Sequence, residues 1–192
     1  GEGWLSNQVT ADIQVIPVAN YAHDMRYVLP VAPSPNLNTE QAVLLYPSLC
    51  MFEGVYVNHG RGTYYPFTVL GSPAYKGIYE FRFIPTGIKG MAETPIFINE
   101  LCYGIDLREY DTELLRKSGQ INFEWIRELY KAHPEKEKFF DSKLSNQMNN
   151  IEIQIGRGDF RQQLIDDVPM ETIRAGWEPE LSAYKEMRLK YL

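Results

Sequence analysis

One short stretch of this sequence, FEGVYVNHGRGTYYPF from Phe52 to Phe67, concentrates side chains that could act together at a single site. It combines a carboxylate, a histidine and an arginine, and glycines flank the arginine on both sides. Glycine permits positive φ angles and a close backbone approach. Since the glycines carry no side chains, Arg61 is the only large side chain at the turn. Such a turn suits the binding of an anion. A catalytic loop, a ligand-binding loop and a simple turn between strands all remain open at this point.

Glu53 is the candidate for acid–base chemistry in the same stretch. Its neighbours Leu49, Cys50 and Met51 are apolar. Apolar surroundings favour the protonated form of a carboxyl group, which is the form that a general acid needs. Glycoside hydrolysis usually needs a second carboxylate about 5 to 10 Å away, and the sequence identifies none. An ion pair with Arg61, or a capping role, is the alternative for Glu53.

Other kinds of chemistry lack their sequence patterns. The three histidines are too dispersed to suggest a metal-ligand set, and the two cysteines have no CxxC spacing. We expect Cys50 and Cys102 to be buried free thiols, or one disulfide in an oxidising compartment. No GxSxG, phosphate loop or dinucleotide fingerprint occurs. The RGD at 157–159 precedes a predicted helix and is discounted as a chance tripeptide. The sequence therefore predicts no cofactor and no metal.

Composition favours one globular domain. The 192 residues are 44% hydrophobic and 23% charged, which is ordinary for a folded protein that buries its own core. The net charge of −6, without any basic run, makes nucleic acid and anionic membranes poor partners. No apolar run is long enough for a membrane span, and the amino terminus shows no signal-peptide pattern.

Hydrophobic periodicity predicts an α+β fold, with a mixed or antiparallel sheet, helices packed against it and a helical carboxy-terminal third. The amino-terminal elements are a strand at 12–18, an extended proline-rich passage, and a helix capped by Asn38 that ends or kinks near Tyr46 because Pro47 follows. A strand at 78–86 and one or two strands within 95–107 complete the sheet.

The carboxy-terminal third carries the remaining helix signals. Asn122 is predicted to cap a helix that runs through Ala132, and another helix is expected from about Asp159. Residues 151–155 are expected to form a short strand or a loop edge. Pro169 and Pro179 are predicted to separate short helices. In the last helix a stripe of side chains is expected to face the core: Leu181, Tyr184, Met187 and Tyr191.

Three ordered groups of motifs carry a family resemblance. They are VAPSPNLNTEQAVLLYPSLCMFEG, GRGTYYPFTVLGSP and the terminal FRQQLIDDVPMETIRAGWEPELSAYKEMRLKYL. Together they resemble the carboxy-terminal half of the bacterial exo-β-N-acetylmuramidases, a family formerly classed as a domain of unknown function. The resemblance runs from the strand at 12–18 to Leu192.

The resemblance implies one domain of a peptidoglycan-degrading glycosidase that releases N-acetylmuramic acid (MurNAc) from non-reducing ends. Such proteins have a larger Rossmann-like amino-terminal domain, and the active site lies in the cleft between the two domains. The family's catalytic glutamate belongs to that first domain, which is absent from residues 1–192. We therefore expect this chain alone to be inactive, with the missing α/β domain and a MurNAc-containing sugar as partners. By the same resemblance, the protein would act in the periplasm or at the cell surface.

The resemblance also selects the predicted site residues. The substrate-binding set is Glu53, His59, Arg61, Thr63 and Tyr64, and the loop-shaping set is Gly54, Gly60 and Gly62. Arg61 would bind the lactyl carboxylate of MurNAc through its guanidinium. The family reads FEGTN where this chain has FEGVY, so Val55 and Tyr56 replace two hydrogen-bonding residues. A non-catalytic glycan-binding or structural module that has lost the chemistry is the alternative function.

Overall fold

The amino-terminal segment is exposed, and Arg26 joins it to the first helix through an ion pair with Glu40 at 3.0 Å. The computed structural model describes residues 6, 9–22, 24–141 and 151–191. All described residues between 9 and 33 are exposed, and the predicted strand at 12–18 is absent, because the segment runs without a partner strand. The strand prediction is therefore wrong for this chain by itself.

The first helix, α1, spans Glu40–Leu49 and is capped one residue later than predicted. The Thr39 hydroxyl accepts a hydrogen bond from the Ala42 N–H at 3.1 Å, while the Asn38 amide donates to the Tyr64 carbonyl at 3.1 Å. The helix passes Pro47 and continues into a 3-10 helix, Cys50–Gly54. Pro47 has no N–H for the hydrogen bond to the carbonyl four residues earlier, yet the helix does not end near Tyr46, so that part of the prediction is wrong. The alternative of a kink there stays a prediction.

A small antiparallel sheet forms the centre of the fold. Its strands are β1 (Val69–Ser72), β2 (Phe81–Phe83) and β3 (Cys102–Asp106), in the order β1-β3-β2. Gly71 lies opposite Gly104 in the ladder. A Cβ atom on Gly104 would come within 1.9 Å of the Leu70 carbonyl oxygen, so only glycine permits this pairing. The predicted strand at 78–86 is reduced to three residues, and the 95–107 region supplies one strand.

Three short helices follow the sheet along the chain. These are α2 (Glu113–Ser118), α3 (Glu124–Ala132) and α4 (Lys136–Phe139). The Asn122 carboxamide oxygen accepts the Glu124 N–H at 2.8 Å at the start of α3, and the helix ends before Pro134. The end of α3 confirms the prediction, whereas its N-cap is Phe123, one residue later than the predicted Asn122.

The carboxy-terminal helices differ from the prediction in two places. They are α5 (Ile151–Ile155), α6 (Phe160–Ile165) and α7 (Met170–Arg188), followed by a 3-10 turn, Leu189–Tyr191. Residues 151–155 are helical, not a strand, because Ile151 is buried where α5 packs against the 3-10 helix at 50–54. Helix α7 continues through Pro179, whose surroundings are exposed, so water can bind the carbonyl that proline leaves without a donor.

The predicted core-facing stripe on α7 is also wrong. Leu181, Tyr184 and Tyr191 are exposed and Met187 is only partly buried, because the end of the helix projects beyond the body. Met170 and Ile173, in the first turns, are the residues of α7 that enter the core.

The main core joins α1, the 3-10 helix, the sheet and the carboxy-terminal helices, and a smaller cluster lies behind β2 and β3. The fold is α+β with an antiparallel sheet and a helical carboxy-terminal third, as predicted. Over the ranges that the structure describes, none of the helices combines the length and the apolar character needed to cross a bilayer.

Candidate functional site

A buried asparagine fixes the loop that carries the candidate residues. The Asn58 side chain is fully buried, and its amide donates to the carbonyls of Arg61 at 3.1 Å and Ile96 at 2.8 Å. Its carboxamide oxygen accepts the Gly60 N–H at 2.7 Å. Sequence analysis did not single out Asn58, although an asparagine two residues before a glycine is a known signal for a side-chain-closed turn.

Two glycines give the loop its path. Gly60 and Gly62 have φ angles of 87° and 84°, in the left-handed region that favours glycine. A Cβ atom on Gly62 would lie 2.5 Å from Cγ of Pro95, so space also excludes a side chain there. Gly54, the third predicted loop-shaping residue, ends the 3-10 helix without a positive φ angle.

The loop brings Glu53, His59 and Arg61 together around one guanidinium. Nη2 of Arg61 donates to Oε1 of Glu53 at 2.8 Å, and Nε of Arg61 donates to Nε2 of His59 at 3.1 Å. The ion pair that sequence analysis offered as the alternative for Glu53 is therefore present. In the described part of the chain, Nη1 of Arg61 has no hydrogen-bond partner, so one arm of the guanidinium is available to an incoming acceptor.

His59 is a buried, neutral member of this cluster. Its side chain is almost completely inaccessible, and Nε2 must be unprotonated to accept the hydrogen bond from Arg61. Burial, and then the positive charge of Arg61, lower the pKa of His59 to about 3. The Val57 backbone opposes this shift, but Nδ1 does not reach hydrogen-bond geometry with any described residue. The histidine therefore positions Arg61 as a neutral acceptor.

Aromatic rings pack against the same cluster. The guanidinium carbon of Arg61 lies 5.3 Å from the centre of the Phe67 ring, within the range of a cation–π contact. The His59 and Tyr46 rings pack on Phe67 at 4.8 Å and 5.0 Å. Phe67 itself has a φ of 54°, an uncommon conformation for a bulky residue. The backbone strain at Phe67 is thus located directly beneath the arginine.

Exposure divides the predicted substrate-binding residues into two groups. The side chains of Arg61 and Glu53 are 37% and 27% exposed, and Tyr64 is 80% exposed. Thr63 is buried, and its hydroxyl donates to the Gly60 carbonyl at 2.7 Å and accepts the Tyr65 N–H at 3.2 Å. His59 and Thr63 are therefore in place to shape the loop, whereas Glu53, Arg61 and Tyr64 offer atoms to a ligand.

Two further residues, Tyr46 and Cys50, whose charges interact with Glu53, were not among the site residues predicted from the sequence. Burial is the main cause that raises the pKa values of both Tyr46 and Cys50, and the Glu53 charge adds to each shift. Tyr46 and Cys50 lie one helical turn apart at the end of α1, and this spacing could have indicated a shared surface with Glu53. Both cysteines are free thiols, Cys102 buried and Cys50 half-buried.

The residues that depart from the family pattern point into the protein. Val55 is fully buried, and the ring of Tyr56 packs edge-on against Phe97 at 4.6 Å. Both side chains therefore take part in packing within the protein.

A groove of about 520 Å³ lies away from the loop, between α2, α3 and the start of α7. Arg174, its one guanidinium, already lies 5.0 Å from the Phe123 ring and donates to the Ile121 carbonyl. The residues that line this groove do not include Glu53, His59 or Arg61, so it is separate from the loop site. Among the described residues, no three His, Cys, Asp or Glu side chains are grouped as metal ligands would be.

Comparison with known proteins gives consistent results. The family model described as "Exo-beta-N-acetylmuramidase NamZ, C-terminal" matches residues 44–192. The chain is 26% identical over 199 residues to the peptidoglycan beta-N-acetylmuramidase NamZ of Bacillus subtilis (strain 168), covering 96% of this chain and 46% of that protein.

A solved structure agrees in fold as well as in sequence. The crystal structure of a DUF1343 family protein from Bacteroides fragilis NCTC 9343 superposes with a TM-score of 0.83 and 36% identity, covering 94% of this chain and 48% of that one. The chain thus spans about half the length of the relatives it matches. Because the family model matches most of its residues, the chain belongs to the family of carboxy-terminal domains of NamZ exo-β-N-acetylmuramidases.

Proposed function

We propose that this chain is the cleft-forming domain of a glycoside hydrolase that releases N-acetylmuramic acid from the non-reducing ends of peptidoglycan fragments. The catalytic glutamate would come from an amino-terminal α/β domain, and Glu53 would orient Arg61 rather than transfer a proton. The observation that carries this proposal is the half-exposed guanidinium of Arg61, fixed at Nε and Nη2 with Nη1 available.

The chemistry of MurNAc supports a role for such an arginine. The sugar carries a lactyl carboxylate that other peptidoglycan sugars lack, and guanidinium is the side chain best suited to a carboxylate. Since Glu53 already occupies Nη2, the incoming carboxylate would bind at Nη1 or displace Glu53. Tyr64, which is largely exposed three residues after Arg61, would offer a flat apolar face for a sugar ring.

The location of the protein follows from this substrate. Peptidoglycan lies outside the cytoplasmic membrane, so the intact protein would act in the periplasm or at the cell surface, in the degradation or recycling of cell wall. Secretion of the intact protein by its native host, measured by cell fractionation, tests this part of the proposal. Recovery only in the cytoplasm would contradict it.

The test of function needs both domains. This chain should be joined to the preceding half of the Bacteroides fragilis relative and assayed for MurNAc release from a peptidoglycan disaccharide. We expect Arg61→Ala to raise KM or abolish turnover, and Arg61→Lys to retain the charge but lose part of the binding. Wild-type kinetics in Arg61→Ala would overturn the role given to this residue. The joined protein without substitutions must show activity for the comparison to count.

A second candidate function rests on the Glu53–Arg61 ion pair. Because the loop already satisfies its own charges at 2.8 Å, the chain also fits a glycan-binding or structural module without catalysis. Under this alternative, the joined protein binds the disaccharide without cleaving it, or substitutions at Arg61 lower the melting temperature with no effect on any ligand.

A further inference from the structure

The segment at residues 9–18, VTADIQVIPV, has the composition of a β-strand but no partner in the structure. Five of its residues are apolar and β-branched, one is charged, and none is glycine or serine. Flexible linkers have the opposite composition, whereas β-branched residues favour strands. The five apolar side chains are 60–82% exposed, and no hydrogen bond between described residues involves the backbone of residues 10–18.

The alternation of this segment defines one apolar face. The odd-numbered residues are all apolar: Val9, Ala11, Ile13, Val15 and Pro17. The even-numbered residues begin polar, with Thr10, Asp12 and Gln14, and become apolar only at Ile16 and Val18. Since successive side chains of a strand point to opposite faces, the odd-numbered face fits against a core and most of the other face fits against water.

Pro17 indicates which edge of the strand pairs. N–H groups of alternate residues point toward the same neighbouring strand, and proline has no N–H to donate. The edge that contains residues 13, 15 and 17 therefore lacks one N–H donor, at Pro17. Prolines in sheets are found on the outer side of edge strands, so this edge is the outer one. The other edge retains its N–H groups at Asp12, Gln14, Ile16 and Val18.

The relatives contain a further half with which the segment could pair. The family match begins at residue 44, yet the Bacteroides fragilis structure shares 94% of this chain and therefore most of the region before residue 44. That structure also contains about as many residues again as the matched part. Because the family that matches this chain is described as carboxy-terminal, we take those residues to precede the segment. A strand joined directly to that preceding half needs little loop closure to pair with it.

We propose that residues 9–18 form an edge strand on a sheet of the preceding half, with the odd-numbered face buried and with the N–H groups of the even-numbered residues in the ladder. The proposal assumes the preceding half that the proposed function also requires, but it does not depend on glycosidase activity. This pairing would bury an exposed apolar segment, which by itself favours aggregation, in the interface between the two halves.

Hydrogen exchange in the joined protein described above tests this proposal directly. We expect the amides of residues 12, 14, 16 and 18 to exchange at least about tenfold more slowly than in the isolated chain, and those of residues 13 and 15 to remain fast. Fast exchange throughout the segment in the joined protein would overturn the proposal.

Two proline substitutions serve as a matched pair. Gln14→Pro removes an N–H from the pairing edge and should return the segment to fast exchange, whereas Val15→Pro lies on the same edge as Pro17 and should preserve the protection. Neither should change the melting temperature of the isolated chain, because the segment does not contact its core. Equal effects of the two substitutions in the joined protein would contradict the assigned edge.

Two controls separate the remaining outcomes. Exchange measured on the intact Bacteroides fragilis relative, at the residues aligned with 9–18, does not depend on the folding of the joined protein; unprotected amides there would also overturn the proposal. Sedimentation of the isolated chain tests pairing with a second copy: a dimer that Gln14→Pro dissociates would replace the proposed partner. Protected amides in a joined protein that does not release MurNAc would contradict the proposed function but support the strand pairing.

Discussion

Nε of Arg61 donates a hydrogen bond to Nε2 of the buried His59 across 3.1 Å. This contact requires a neutral histidine, because a protonated ring has no acceptor to offer. With Nη2 bound to Glu53, the guanidinium is held at two of its three nitrogens. The arginine that we assign to ligand binding is therefore preorganised, which lowers the entropy lost when a carboxylate binds.

The buried histidine predicts a dependence of stability on pH. The pKa of His59 is lowered to about 3 in the folded protein, against about 6.5 in an unfolded chain. Between these values the unfolded chain binds more protons, so this contribution to stability is complete above pH 6.5 and declines as the pH falls toward 3. The maximum slope for one group is about 1.4 kcal/mol per pH unit.

Urea unfolding of the wild type and of His59→Gln, at pH 7 and pH 4.5, measures this contribution. Glutamine retains an acceptor for Arg61 but does not titrate, so its stability should fall less between the two pH values. Burial also lowers the pKa of His133, but that residue is present in both proteins and cancels in the difference. Parallel pH dependences would contradict the assignment to His59.

Glu53 should compete with an external carboxylate for Arg61. The Glu53→Gln substitution retains an oxygen acceptor for Nη2 and removes the negative charge, so binding of MurNAc should become stronger. A half-exposed ion pair contributes about 1 kcal/mol or less, which corresponds to an increase of at most about fivefold in affinity. Calorimetric titration with MurNAc checks this, and weaker binding by Glu53→Gln would mean that the carboxylate itself contacts the sugar.

Gly62 should tolerate alanine worse than a glycine of similar backbone conformation. Gly62 and Gly77 have φ angles of 84° and 80°, but a Cβ at Gly62 would meet Pro95 at 2.5 Å, whereas at Gly77 nothing lies within 4 Å. We expect Gly77→Ala to cost about 1 kcal/mol for the left-handed backbone. Gly62→Ala should cost about 1 to 3 kcal/mol more, since overpacking adds to that strain. Equal losses on chemical denaturation would show that the loop can move to accommodate the methyl group.

The two parts of α7 should differ in their contribution to stability. Ile173 is 1% exposed, and Ile173→Ala should destabilise the chain by about 2 to 5 kcal/mol. Tyr184 is half exposed beyond the body, and Tyr184→Ala should change stability by no more than about 0.5 kcal/mol. Thermal unfolding of both variants tests this, and a large loss in Tyr184→Ala would restore the core-facing stripe predicted from sequence.

The predictions that held depend on local chemistry. The stop of α3 before Pro134 follows from short-range rules, and so does the glycine–arginine–glycine turn. The incorrect predictions depend on partners that periodicity does not identify. Residues 12–18 have a strand pattern without a neighbouring strand, and the apolar stripe of α7 extends past the core that would bury it.

The site was predictable only in part for a similar reason. Residue types and spacing identified Glu53 and Arg61 and offered their ion pair as one alternative. Burial of His59 and Thr63 depends on tertiary packing, and the clamp by Asn58 depends on a carbonyl at Ile96, 38 residues away. The turn that Asn58 closes on Gly60 has a local signal, but burial and the contact with Ile96 cannot be read from nearby residues.

One titration tests the central claim that Arg61 recognises the carboxylate of a peptidoglycan sugar. The isolated chain should be titrated by NMR with a MurNAc–GlcNAc disaccharide and with a GlcNAc–GlcNAc disaccharide, which lacks the lactyl group, and both titrations repeated with Arg61→Ala. We predict weak saturable binding of the first sugar that moves the Arg61 and Tyr64 resonances, is much weaker for the second, and disappears in the folded variant. Equal binding of the two sugars, binding unchanged in Arg61→Ala, or no binding of the first sugar at millimolar concentration would contradict the claim.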